Sequence, residues 1–116
     1  LALARKLGAE DARVVVVNVV EELPAYAIHD LPPGFREQAH SSAVESLRRI
    51  AADSGFEPEV VVLTGHPANQ ILSLAEQRAA DLIIVASHRP GLQDYFIGST
   101  AGRIVRHATC SVLVSR

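Results

Sequence analysis

The chain has 116 residues, a formal net charge of −2 and an apolar share of 48%. That is one domain's length, long enough to bury a core without covalent staples and too apolar for a disordered chain. The charge argues against the net basic face of a nucleic-acid binder, the single cysteine excludes a disulfide framework or a cysteine-rich metal site, and no apolar run reaches the roughly 20 residues that cross a membrane as a helix.

Residues 1–8, LALARKLG, read as the back half of a helix stopped by Gly8. Residue 1 is not methionine and no signal-peptide pattern opens the chain, so the expectation is that the natural protein starts upstream. A reducing compartment, and the cytoplasm in particular, is the expected location. Arg13 to Val20, RVVVVNVV, is a β-branched run of the kind found in strands buried on both faces. Glu21 to Gly34 carries three prolines and reads as a long covering or functional loop. Phe35 to Ser54 places Phe35, Ala39, Ala43, Leu47 and Ile50 on one helical stripe, with Gly55 as the stop.

Glu59 to Thr64, EVVVLT, is the next strand. Pro67 to Ala80 is a helix with Ile71, Leu72, Ala75 and Ala79 on one side, and Pro67 suits its first turn. Asp81 to Ala86 and Cys110 to Ser115 are short apolar strands flanking a helix from Ser99 to His107, whose inner face is Ala101, Ile104, Val105 and Ala108. Strands alternating with helices of this length predict crossover units and a mostly parallel sheet. Ligands of such sheets bind beyond the carboxyl ends of the strands.

Those ends direct attention to residues 82–100, LIIVASHRPGLQDYFIGST. A buried strand empties into a basic loop that returns to a Gly-Ser-Thr helix start. A helix amino terminus exposes unpaired N–H groups and about half a positive charge. Gly98 allows close backbone approach, Ser99 and Thr100 offer hydroxyls, and His88 and Arg89 leave the neighbouring strand end. Together they can hold a phosphate. The plainer alternative is that Ser99 caps the helix while His88 and Arg89 are solvated.

Residues 82–116 resemble the carboxyl-terminal segment of the universal stress protein family. The resemblance rests on the small residue after the strand, Ser87-His88, the Gly98-Ser99 helix start, Arg106-His107-Ala108 and Cys110 before the last strand. Gly65-His66-Pro67-Ala68 resembles that family's turn into its third helix, and the element order agrees along the whole chain. The Ser-His-Arg-Pro form resembles small single-domain bacterial members.

The resemblance implies one domain over residues 1–116. Its fold would be a three-layer α/β/α, Rossmann-like architecture with a parallel sheet of order 3-2-1-4-5. The first strand of that order is not evident in the sequence, and the natural chain is expected to have it. It also implies an adenine nucleotide, AMP or ATP, with magnesium as a further expectation, held at the strand ends by Val19, Ala86, Ser87, His88, Arg89, Gly98, Ser99 and Thr100. Nucleotide-binding members carry Gly, two residues, Gly, nine residues, Gly-Ser. Here Ala86 and Arg89 stand at the first two glycines, the spacer Pro90 to Ile97 is one residue short, and only Gly98-Ser99 matches. Family members often dimerise through the last strand, which here is Ser111, Val112, Leu113, Val114 and Ser115.

Other chemistry-bearing residues read as structural. Val19, at the end of its strand, reads first as ordinary core. His66 suits a helix cap, His107 a helix carboxyl terminus favoured by the dipole, and Cys110 a small inert hydrophobe. Asp94 suits a pair with Arg89, and His29 with Asp30 has no ligand spacing around it. No nucleophile–base–orienter set can be assembled. Three functions follow in order: a nucleotide-binding regulatory module acting through a dimer, a nucleotide-independent dimeric interaction protein with an unspecified regulatory partner, and a slow ATPase.

Overall fold

The computed structural model describes residues 11–21, 31–55, 57–86 and 97–115. The helix expected at residues 1–8, most of the proline-rich loop, and Ser87, His88, Arg89 and Asp94 lie outside the described residues. Contacts divide the chain into two compact units, Leu1–Gly65 and His66–Arg116.

The first unit is a crossover: β1 (Val15–Val20), α1 (Phe35–Asp53) and β2 (Glu59–Thr64). The strands pair in parallel, from Val15 opposite Glu59 to Val20 opposite Thr64. Backbone bonds extend the pairing at both ends, from Glu59 N–H to the Val14 carbonyl and from Gly65 N–H to the Val20 carbonyl. Helix α1 packs on both strands. Its entrance is Gly34 at φ +80°, and it closes at Ser54, whose hydroxyl donates to the Ala51 carbonyl at 2.6 Å.

Leu47 and Ala51 are its buried side chains, whereas Phe35 and Ile50 are 39% and 49% exposed. The inner stripe therefore runs through Ala43, Leu47 and Ala51 rather than through Ile50. A step of four residues stays on one helical face, and Ile50, about 60° around the helix from Leu47, falls at the border of that face. The valine run also differs from the expected strand buried on both faces. Its valines are half-buried on both faces and Asn18 is exposed, with α1 packed on the strand pair among the described residues.

The second unit contains α2 (Pro67–Gln77), β3 (Leu82–Ala86), α3 (Ser99–His107) and β4 (Ser111–Ser115). Strands β3 and β4 are parallel, from Leu82 opposite Ser111 to Ala86 opposite Ser115. The core is Ala68, Ile83 and Ile104, with Ile71, Leu72, Val85, Cys110 and Val112 packed around it. Alternation on β3 turns Ile83 and Val85 to that core and leaves Leu82 and Ile84 on the opposite, exposed face. Complete burial of Ile104 is worth roughly 1.5–3 kcal/mol.

Helix α2 ends three residues before the expected boundary at Ala80, and the bonds at its end explain why. Ala79 N–H donates to the Glu76 carbonyl at 3.1 Å and Ala80 N–H to the Ala75 carbonyl at 2.9 Å, with Ala79 at φ +50°. That is a Schellman closure, with alanine in the left-handed position usually taken by glycine.

The fold class is α/β with parallel strands, as expected. The strands form two parallel pairs, β1 with β2 and β3 with β4. Among the described residues each strand has a single strand neighbour.

Candidate functional site

In a β-α-β crossover the helix runs antiparallel to its strands, so the amino end of α3 belongs to the carboxyl edge of the β3–β4 pair. Ala86 closes β3 at that edge, opposite Ser115 in register. Helix α3 opens with Gly98 as its N-cap, at φ +85° and ψ +156°. This region of backbone space is essentially reserved for glycine. A Cβ built on Gly98 would meet nothing within 4 Å, so the space beside it is open.

The first intrahelical bond is from Gly102 N–H to the Gly98 carbonyl, at 3.0 Å. The N–H groups of Ser99, Thr100 and Ala101 precede it and have no acceptor within the helix. No acidic side chain lies in the first turn of the helix. Ser99 is exposed and Thr100 half-buried. The arrangement offers three backbone donors, two hydroxyls and an open approach, which is the chemistry of an oxyanion or phosphate site.

The simpler reading of Ser99 as the helix cap does not hold. Gly98 occupies that position, and no side chain caps the helix. The Ser99 hydroxyl is thereby released from a capping bond. One contributor went unrecognised in the sequence: Ile97 lies against Gly102, whose added Cβ would come within 3.5 Å of Ile97 Cγ2. The contact is an ordinary van der Waals one, and nothing in the local sequence pattern signals it.

Of the expected site residues, Gly98, Ser99 and Thr100 are consecutive at the helix start, and Ala86 ends the strand before it. Val19 belongs to the other unit, half-buried and paired with Leu63. Ser87, His88 and Arg89 lie outside the described residues. Among the described residues no cluster of three histidine, cysteine or carboxylate side chains could hold a metal ion, and no helix is long and apolar enough to cross a membrane.

His66 takes the capping role expected of it. As N-cap of α2, its Nδ1 accepts from Asn69 N–H at 3.4 Å. His107 ends α3 together with Arg106, as expected for cationic side chains near a carbonyl end. Cys110 is a half-buried free thiol packed against the core. In β4, Ser111 is exposed and Val112, Leu113, Val114 and Ser115 are half-buried. Its pairing with β3 leaves its other edge without a strand among the described residues.

Residues 2–116 match the model of the universal stress protein family. The chain is 31% identical to universal stress protein MJ0531 of Methanocaldococcus jannaschii over 115 residues, covering 97% of this chain and 68% of that protein. It is 25% identical to universal stress protein G of Shigella flexneri, covering 97% of this chain and 84% of that one. Among solved structures it is similar to hypothetical protein MJ0577, with a TM-score of 0.80 and 21% identity over 97% of this chain and 82% of that chain. A second solved structure, hypothetical protein PH0823, has a TM-score of 0.75 and 25% identity over 95% of this chain and 79% of that chain.

Proposed function

The chain belongs to the universal stress protein family, and from that premise we propose that it is a stress-response regulator that binds an adenine nucleotide, AMP or ATP, at the amino terminus of α3. The observation that carries the reading is Gly98. It holds a backbone geometry open to glycine alone, with nothing within 4 Å of an added Cβ, directly before three N–H groups that have no acceptor within the helix and two hydroxyls. A fold without a ligand there gains nothing from that geometry, whereas a phosphate gains close approach to the donors.

In this reading Ser99 and Thr100 donate to phosphate oxygens, and Ala86, Ser87, His88 and Arg89 are the remaining nucleotide-binding residues. Arg89, at a position where nucleotide-binding relatives carry glycine, adds charge suited to the shorter AMP. In this reading the nucleotide acts by changing partner contacts. The protein acts in the cytoplasm as a homodimer joined along β4, from Ser111 to Ser115.

The test is to denature the purified protein, identify any released nucleotide by mass, and titrate AMP and ATP with and without magnesium. Ligand at about 100 times its Kd stabilises by about 2.7 kcal/mol. For 116 residues that is a rise in Tm of roughly 11 °C. Ser99→Ala is expected to weaken binding about tenfold, through loss of a bond to a charged group. Protein that releases no nucleotide and takes up none would refute the reading.

A second reading is a dimeric interaction protein that needs no nucleotide. The strand edge of β4, unpaired among the described residues, favours it. It requires a dimer in ultracentrifugation without ligand, and a monomer at high concentration would remove it.

A further inference from the structure

Helix α3 carries a cation on the stripe that leads to its amino end. Ser99 and Arg103 are four residues apart, so they lie about 40° from each other around the axis and about one turn apart along it. Both are exposed, whereas Ala101 and Ile104 take the buried arc of the helix.

A helical side chain leans toward the amino terminus and covers the turn before its own Cα. Arg106 displays this lean on the same helix: its Nε donates to the Gly102 carbonyl, four residues back, at 3.3 Å. The same lean carries the Arg103 guanidinium over Ser99, toward the first-turn N–H groups that have no acceptor within the helix. Nothing negative competes for it nearby. Helix α3 holds no carboxylate, and Arg103 has no ion-pair partner among the described residues. A guanidinium presents its N–H donors in a planar fork that matches two oxygens of a phosphate. The backbone donors point along the helix axis, whereas the fork approaches from the side of the helix. The two sets therefore suit different oxygens of one phosphate group.

Resting on the nucleotide reading, we propose that Arg103 binds the phosphate held at the amino end of α3, its guanidinium taking oxygens that the backbone N–H groups leave free. The full chain is titrated with AMP, with adenosine, which keeps base and ribose without the phosphate, and with inorganic phosphate, each followed by amide NMR. Arg103→Gln is expected to weaken AMP and inorganic phosphate about fivefold to tenfold and to leave adenosine unchanged. Arg103→Lys is expected to fall between the two, because lysine keeps the charge and loses the fork. The loss in Arg103→Gln should narrow as salt is raised. Arg106→Gln is the control: that side chain is held one turn farther from the site, and its effect should stay within about twofold. Unchanged AMP affinity in Arg103→Gln, an equal loss for adenosine, or an equal loss in Arg106→Gln would overturn the proposal and leave the nucleotide reading in place. A chain that takes up neither AMP nor adenosine, but whose phosphate affinity falls in Arg103→Gln, would remove the nucleotide reading and keep the arginine. A chain that takes up none of the three would remove both.

Discussion

Gly98→Ala provides the most informative perturbation, because the structure separates its two possible costs. The steric cost is nil, since the new Cβ would meet nothing within 4 Å. The conformational cost is not, since φ +85° and ψ +156° lie where side-chain-bearing residues incur on the order of 1–3 kcal/mol. Unfolding entropy near 2.1 cal/mol/K per residue over 116 residues converts each kcal/mol to about 4 °C, so Tm should fall by about 4–12 °C. Gly102→Ala is the internal control. That residue sits within α3, and its Cβ would make an ordinary contact 3.5 Å from Ile97 Cγ2. Replacing a mid-helix glycine by alanine should stabilise by about 0.5–1 kcal/mol, or roughly 2–4 °C. The assay is thermal unfolding followed by circular dichroism without nucleotide. Shifts of the same sign in the two variants, or no effect of Gly98→Ala, would show that the helix entrance is not strained as argued and would remove the main support for the phosphate site.

Three further outcomes can be measured in the same way. Ala79→Gly relieves the left-handed position of the Schellman closure at φ +50° and should raise stability by about 0.5–1 kcal/mol; a loss would mean that α2 closes differently in solution. His66→Asp replaces a long capping bond of 3.4 Å with a charged acceptor at the helix amino terminus. It should stabilise by about 0.5–1 kcal/mol in denaturant titrations, and His66→Ala should destabilise by a similar amount. Ile104→Ala removes a fully buried side chain and should cost about 2–5 kcal/mol, while Val105→Ala, 46% exposed, should stay within about 0.5 kcal/mol; equal effects would contradict the packing of α3.

Local pattern alone determined much about this protein. Glu59–Thr64 and Ser99–His107 are legible to the residue, since β-branched runs and three-to-four spacing reflect interactions within a few positions along the chain. The parallel α/β class follows from their alternation, and the Gly98-Ser99-Thr100 segment marks itself as a site by residue type.

Tertiary structure decided which arc of each helix is buried. Apolar spacing admits Ile50 and Val105 to the inner stripes, but the neighbouring strands take Leu47 with Ala51 and Ala101 with Ile104, and leave the other two in solvent. It also decided that α2 stops at a left-handed Ala79. Alanine is the strongest helix former and carries no stop signal, so the turn toward β3 imposes the end from outside. A surface cavity lined by Glu76 and Thr109 has no local signature. Its walls come from residues more than thirty positions apart in sequence, and only the antiparallel run of helices over parallel strands brings their carbonyl ends to one place.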